Sequence, residues 1–223
     1  MTREAFAGLV DVSRETLDRL QTFLDLLETW QEKINLVGQS TLADPWRRHM
    51  LDSAQLWPLV LAHANEKNRD RLTLVDFGSG AGFPGLVLGI LAAGSPAPIA
   101  VNVHLVESTG RKAAFLAEAA RRTGARARVH RGRIEALDPA AVTGPGRADI
   151  VTARALAPLD QLLDLAGGWL GEGGIALFPK GRDATRELTA ARKTRKLDVE
   201  TVPTLSDPHG VILRIREGWS ERD

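Results

Sequence analysis

The chain has 223 residues, enough for one mid-sized globular domain that buries about 70% of its unfolded surface without a disulfide or metal staple. Hydrophobic residues make up 43% and charged residues 26%, which excludes wholesale disorder, collagen-like repeats and long coiled coil. Cysteine is absent, five histidines are scattered without metal-ligand spacing, and the net charge of +1 favours neither a polyanion nor a polycation as partner until it is divided by position. Phe83 to Gly94, the longest nearly apolar stretch, is far short of the roughly 20 residues that cross a bilayer. Met1 to Glu15 carries no signal-peptide core. A soluble cytoplasmic protein with no membrane and no metal is expected.

From Ser13 to Leu36, apolar residues recur at Leu17, Leu20, Phe23, Leu24, Leu27, Trp30 and Ile34, the spacing of an amphipathic helix with Ser13 as its cap. Asp44-Pro45 predicts a second helix through Trp46, Met50, Leu51 and Leu56, with proline at its first position. From Leu72 the pattern changes to alternating strands and helices. Strands are expected at 72–77, 101–106, 126–130, 148–153 and 174–179, and helices at 84–92, 110–123, 155–169 and 183–194. That rhythm predicts βαβ units and a parallel sheet. Leu197 to Val202 and Gly210 to Arg216 follow each other closely and are expected to pair as an antiparallel hairpin. The fold class is therefore α/β, a methyltransferase-type (class I) Rossmann fold: a mostly parallel seven-stranded sheet closed by an antiparallel C-terminal hairpin and preceded by helices. Residues 1–70 are expected to form a helical extension packed on a domain spanning 71–223.

The charge has an address. Residues 1–70 carry eight cations against eleven acids, and residues 71–223 carry twenty-one against seventeen. Arg111, Lys112, Arg121, Arg122, Arg126, Arg128, Arg131 and Arg133 face only Glu118 over one short stretch, a local charge of +7. Arg182 to Lys196, including Arg186, adds six cations against Asp183 and Glu187. Such density suits a phosphate-binding surface, although a solvated arginine-rich face has the same composition.

The sharpest motif is Asp76-Phe-Gly-Ser-Gly-Ala-Gly-Phe-Pro-Gly85, where a strand ends and a helix begins. Gly78, Gly80 and Gly82 permit a tight turn and close approach of a ligand to backbone amides. As a dinucleotide fingerprint the match is poor, because position 83 is Phe and the register from Gly80 begins late. Asp76 before the glycines would also repel a pyrophosphate, whereas the cationic sulfonium of S-adenosylmethionine raises no such conflict. The second strand ends in Glu107, an acceptor for ribose hydroxyls or a cap for the helix that follows. Arg133-Ile134-Glu135 comes where an adenine would be edged, with Ile134 otherwise simple core. Arg154 and Lys180 stand at the ends of the fourth and fifth strands, on the rim where such sheets hold ligands; surface or helix-start cations would occupy the same positions. The fourth strand lacks the Asn/Asp-Pro-Pro-aromatic element of exocyclic-amine methylation, and no cysteine is available to attack a pyrimidine carbon.

Together these residues resemble the glucose-inhibited division protein B family, the 16S ribosomal RNA guanine-N7 methyltransferases. The matching elements are Trp30-Gln-Glu-Lys-Ile-Asn-Leu36 in the first helix, Arg48-His-Met-Leu-Asp-Ser53 in the second, the glycine loop with Pro84-Gly85, Glu107-Ser-Thr-Gly-Arg-Lys112, Arg133-Ile-Glu135, Thr152-Ala-Arg-Ala155 and Lys180-Gly181. Phe83 stands where Leu is more usual, and Ala153 where many members have Ser before the Arg. The resemblance implies S-adenosylmethionine as cofactor, S-adenosylhomocysteine as product, and a cofactor site on Gly78, Phe83, Ile134, Glu135 and Arg154, with Asp76, Gly80, Gly82 and Glu107 around it. It implies a guanine of the decoding-region loop of 16S ribosomal RNA as substrate, within the 30S subunit or an assembly intermediate, and a monomeric enzyme. Guanine N7 carries a lone pair and no proton, so no acid or base is required; Arg154 and Lys180 are positioning candidates. Arg111, Lys112, Arg121, Arg122, Arg182 and Arg186 are the expected RNA contacts. A methyltransferase for another RNA or a small molecule, an NAD-type oxidoreductase and a non-catalytic ribosome-binding protein are the alternatives.

Overall fold

The computed structural model describes residues 1–221. The helical opening comprises α1 (Arg3–Ala7), α2 (Arg14–Gln31), a π-helical turn (Trp46–Leu51) running into α3 (Asp52–Ala54), and α4 (Trp57–Glu66). Then follow β1 (Arg71–Phe77), α5 (Gly85–Gly94), β2 (Ala100–Glu107), α6 (Gly110–Thr123), β3 (Ala127–Arg131), α7 (Pro139–Thr143), β4 (Ala148–Ala153), α8 (Leu159–Gly167), β5 (Leu170–Lys180) and α9 (Ala184–Thr194). β6 (Arg195–Lys196), β7 (Val199–Pro203), β8 (Val211–Arg216) and β9 (Ser220–Glu221) complete the described chain.

Seven strands form one sheet in the order β3-β2-β1-β4-β5-β8-β7, while β6 and β9 pair separately. β1 to β5 run parallel; β8 lies antiparallel to β5, and β7 antiparallel to β8. The expected class I sheet with a C-terminal hairpin is thus present. Strand order reverses between β1 and β4, so a crevice opens at their carboxyl ends.

Local chemistry explains where the elements depart from the periodicity. α2 stops at Gln31, because the Gln31 side chain accepts from the Leu36 and Val37 amides at 2.9 and 3.0 Å and donates to the Val37 carbonyl at 2.9 Å. Most of the Trp30–Leu36 motif therefore forms a side-chain-bonded turn after the helix and not, as the spacing suggested, its last turns. The second expected helix opens as a π-helical turn, with the Asp44 carboxylate accepting from the Arg47 amide at 3.2 Å. The helix expected from 155 starts only at Leu159: Ala155 is left-handed at φ 53°, and proline at 158 disfavours helical backbone before it.

The sheet has a core on each face. On one, Leu72, Leu74, Val101, Val103 and Leu105 pack against Leu20, Phe23, Leu86, Ile90 and Phe115. On the other, Val75, Phe77, Val106 and Val151 pack against Val142, Leu162 and Leu163. The first core carries residues of α2, so the helical opening and the sheet share one interior. Phe23 of α2 lies 5.2 Å from the Phe83 ring and 6.2 Å from Phe115. A Cβ on Gly82 (φ 94°) would stand 3.0 Å from the Phe23 ring, so only glycine leaves room for α2 at this distance.

Asp76 is fully buried at the carboxyl end of β1. It accepts from the Thr152 hydroxyl at 2.9 Å and from the Gly85 amide at 3.2 Å, joining β1, β4 and the start of α5. Gly85 packs so tightly that a Cβ would meet Asp76 at 2.6 Å. Burial pushes the Asp76 carboxyl up to about 6 from 3.8, although its hydrogen bonds work in the other direction. A raised carboxyl favours the fold most below the unfolded value, and that contribution is lost as pH rises from 3.8 through about 6. Asp76→Ala strands two buried donors and should cost about 2–3 kcal/mol in denaturant unfolding. Asp76→Asn retains an acceptor for Gly85, and its unfolding free energy should lack the pH slope of the unsubstituted chain across that window. Parallel pH curves for the two proteins would show that the carboxylate is not the group responsible.

Candidate functional site

A cleft of about 800 Å³ opens where the glycine loop, the ends of β4 and β5, the π-helical turn and the β7–β8 connection converge. Its lining includes Gly78, Gly80, Phe83, Lys112, Arg154, Lys180 and Arg182 from the sequence candidates, and Thr41, Arg48, His49, Asp52, Leu156, Ser206 and Asp207 beside them. Gly78 and Gly80 are left-handed, at φ 61° and 54°, and present bare backbone to the cleft.

Glu107 lies against this loop, 6% exposed. One carboxylate oxygen accepts from the Gly80 amide at 2.9 Å and the other from the Thr109 amide at 2.7 Å. It therefore both secures the glycine loop and caps the start of α6. A carboxylate has about four acceptor sites, so further donors such as ribose hydroxyls still find lone pairs. The Gly132 amide donates to the Glu107 carbonyl at 3.1 Å, which brings the turn Ile134–Ala136 to the same rim. Ile134 is buried in the second core, and Glu135 is exposed, with Arg133 at 3.8 Å. Neither lines the cleft, and Asp76 is turned inward beneath the loop.

Arg154 leaves the end of β4 and reaches across to the π-helical turn. Its guanidinium donates to Asp52 Oδ2 at 2.9 Å, the Arg48 carbonyl at 3.1 Å and His49 Nδ1 at 3.1 Å, and its Cζ stands 5.1 Å over the Phe83 ring. His49 in turn stacks on Phe83, with centroids 4.6 Å apart and planes 13° from parallel. Burial, reinforced by the Arg154 charge, pushes the His49 imidazole down to about 4, so it is neutral at pH 7. Because arginine only donates, Nδ1 must be the acceptor and Nε2–H donates to Thr41 Oγ1 at 3.0 Å. Asp52 extends the network: its Oδ1 accepts from Ser206 at 2.6 Å and from Gln55 at 3.2 Å. Gln55 accepts from the Leu205 amide at 2.6 Å. The β7–β8 connection is thereby tied to the helical opening.

Lys180 is 10% exposed at its side chain and donates to Glu187 at 2.8 Å and the Ala157 carbonyl at 3.0 Å. Glu187 also accepts from the Leu159 amide at 2.7 Å, so Lys180 steadies the segment after Arg154. Leu156 in that segment lies over Gly78, where a Cβ would stand 2.6 Å from its methyl. Among the cationic candidates, Lys112 and Arg182 reach the cleft, whereas Arg111, Arg121 and Arg122 are exposed on α6 and Arg186 on α9. Arg121 is paired with Glu118 and Arg186 with Asp183.

The sequence singled out neither Thr41, Gln55, Leu156 nor Ser206. His49 and Asp52 lie in a motif the sequence offered, but nothing there marked them as partners of Arg154, 105 and 102 positions away. The Arg48–Ser53 motif was the available signal.

Residues 16–212 match the family model of rRNA small subunit methyltransferase G. A ribosomal RNA small subunit methyltransferase G of Paramagnetospirillum magneticum is 52% identical over 206 residues, covering 92% of this chain and 91% of its own. That of Rhodospirillum rubrum is 51% identical over 217 residues, covering 97% and 98%. Among solved structures, one described as a class I S-adenosylmethionine-dependent methyltransferase from Listeria monocytogenes superposes with a TM-score of 0.57 at 12% identity, covering 92% of this chain and 68% of its own. A methyltransferase from Geobacter sulfurreducens gives 0.55 at 12% identity, covering 88% and 90%. At such identities these two speak to the fold alone.

The Arg154–Asp52 pair is largely shielded from solvent, with side chains 19% and 18% exposed. A double-mutant cycle of Arg154→Ala and Asp52→Ala should give a coupling of about 1–3 kcal/mol in unfolding. A coupling near zero would mean that the two side chains do not hold each other.

Proposed function

The chain belongs to the rRNA small subunit methyltransferase G family and is an S-adenosylmethionine-dependent enzyme, and we propose that it methylates N7 of a guanine in the decoding-region loop of 16S ribosomal RNA. The observation that carries the chemistry is the state of the bases lining the cleft. His49 has both ring nitrogens engaged. Asp52 is bound by Arg154 and Ser206, Glu187 by Lys180, and Asp207 lies 3.8 Å from Arg48. His49 has no ring nitrogen left to accept, the cleft acids, Asp183 with Arg186 among them, are each held by a cation, and N7 has no proton to give.

The cleft suits the cofactor. Its volume of about 800 Å³ is within the range of small-molecule sites. Bare backbone at Gly78 and Gly80 admits close approach, and Glu107 retains acceptor sites for a diol. S-adenosylmethionine supplies, when bound, an electrophilic methyl on a cationic sulfur. In this reading Gly78, Gly80 and Gly82 with Glu107 hold the nucleoside end, the adenine extends past the cleft lining to the rim where the Ile134–Glu135 backbone edges it, and Phe83 and Arg154 close the other side. Arg154 serves the cofactor or a phosphate: a guanidinium bonded to N7 would occupy the lone pair that must attack. Lys180 fixes the Ala157–Leu159 segment and keeps one N–H of its ammonium for the substrate. The chain's contribution is to bring N7 in line and exclude water, an effect worth about 7–11 kcal/mol at the ideal limit.

Lys112 and Arg182 at the cleft mouth, with Arg111, Arg121, Arg122 and Arg186 beyond them, would grip phosphates around the target, in the 30S subunit or an assembly intermediate. Residues 1–70 act as an extension packed on the catalytic domain, whose last two residues, 222–223, lie outside the described chain. The enzyme works as a monomer, in the compartment where ribosomal subunits are assembled.

Radiolabelled methyl from S-adenosylmethionine should pass to 30S subunits from cells lacking the gene, and cleavage at N7-methylated guanine should map it to one position. Without a general base, kcat should stay level from about pH 6.5 to 9, and Arg154→Ala should raise the cofactor KM. Label at an exocyclic amine, or a sigmoid pH profile, would overturn the N7 reading; cofactor binding without RNA label would favour a small-molecule substrate.

A further inference from the structure

One face of the sheet is apolar at the carboxyl end of its strands and polar at the amino end. Along β1 and β2, Val75, Phe77 and Val106 belong to the second core. The residues on the same side but lower in each strand are Arg71, Thr73, Asn102 and His104, joined on β3 by Arg128, which pairs with His104 in register. Side chains alternate along a strand, so these polar residues share the face of the apolar ones. The element that crosses this face, α7, has only five residues and leaves the amino-terminal quarter uncovered. A groove of about 650 Å³ remains, bordered by Arg71, Asn102, His104, Arg126, Arg128 and Thr143, with no carboxylate in its lining.

The cations in this groove are uncommitted. Among the described residues, Arg71, Arg126 and Arg128 take part in no ion pair. Asp149, the acid facing Thr73, is already taken by Arg69 and by the Thr73 amide at 2.7 Å. Elsewhere some arginines find acids, as Arg195 bonds Asp164 at 2.6 Å and Arg214 bonds Glu66 at 2.6 Å; what distinguishes Arg71, Arg126 and Arg128 is that they border one groove together. Cations on an edge strand guard against strand pairing, which would account for Arg128 on β3 and Arg126 just before it. It does not account for Arg71, because β1 lies between β2 and β4.

The cations also continue beyond the groove. Arg131 ends the same edge strand on the face opposite Arg128, and its guanidinium lies against Gly110, 3.1 Å from where a Cβ would stand. Gly110 begins the helix that carries Arg111 and the cleft-lining Lys112. Cations thus flank the edge strand on both faces, Arg128 on the groove side and Arg131 on the side of α6, whose Lys112 lines the cleft.

We infer that this groove is a second anion site, taking backbone phosphates of the RNA substrate remote from the reacting guanine. The inference rests on the proposed ribosomal RNA substrate and adds to it a contact on the far side of the sheet. Fluorescence anisotropy with a labelled 16S ribosomal RNA fragment in stepped KCl tests it without requiring catalysis. Arg71→Gln/Arg128→Gln should weaken binding about tenfold and reduce the slope of log affinity against log salt by about two, with S-adenosylmethionine affinity and thermal midpoint unchanged. Arg126→Glu/Arg128→Glu, confined to exposed positions, should do at least as much. Unchanged affinity and slope in both variants would overturn the inference. So would displacement of the RNA by a nucleoside monophosphate at sub-millimolar concentration, which would assign the groove to a free nucleotide. Methyl transfer by the unsubstituted enzyme to 30S subunits is measured alongside. Its absence with RNA binding intact removes the ribosomal substrate and leaves the groove, and its presence with unaffected variants does the reverse.

Discussion

A single buried carboxylate decides how the cleft is built. Asp76 ends β1, accepts from Thr152 on β4 and from the first amide of α5, and so fixes the two strands at the reversal point relative to the helix that leaves the glycine loop. An ionisable group in so dry a place is tolerable only because both its oxygens are bonded. Glycine at 85 is the matching concession, since any side chain there would collide with Asp76 and Leu105. The loop between these anchors is left with little freedom. Its three glycines adopt positive φ, Glu107 holds its middle amide, and Phe23 closes on it from behind.

The sheet alone does not make the site. One wall is the π-helical turn of the helical opening, and the contact between wall and sheet is the Arg154 guanidinium. His49, Phe83 and Arg154 form a short stack in which a neutral imidazole and a cation share one aromatic ring. The imidazole must be neutral for the stack to persist, because a second charge would face the guanidinium at hydrogen-bond distance. Burial secures this. The cost of desolvating Arg154 is offset by Asp52 and the Arg48 carbonyl, and Asp52 in turn carries the β7–β8 connection through Ser206. The walls of the cleft thus come from elements distant in sequence from the glycine loop.

Much of the scaffold was legible because it depends on periodicity and on glycine. The carboxyl-terminal parts of β1 and β2, with Leu74 and Leu105 in one core and Val75, Phe77 and Val106 in the other, are buried on both sides, and that is what a central parallel strand requires. The hairpin of β7 and β8 followed from two short runs separated by a proline-bearing turn. Other features turned on single side chains or dihedrals that periodicity does not carry. α2 ends at Gln31 through a side-chain bond to residues five and six positions on, although Ile34 continues the apolar spacing. α8 begins late because Ala155 takes up a positive φ. At the site, the glycines, Glu107 and Arg154 could be nominated from their places at strand ends. Their partners could not: Asp52 with Arg154, and Ser206 with Asp52, are contacts across 102 and 154 positions.

Those separations bear on how the protein comes into being. Asp52 in the wall of the cleft precedes Ser206 of the β7–β8 connection by 154 positions, and the tie between them cannot form until the chain has grown past residue 206. Loop closure over such a distance carries an entropic penalty that local contacts do not, and folds rich in distant pairings form slowly. The sheet from β1 to β5 can organise around Asp76 while the end of the chain is still emerging. The cleft is completed only when the last hairpin docks. The same hairpin completes the interior, because β8 supplies Ile212 to one core and Leu213 and Ile215 to the other.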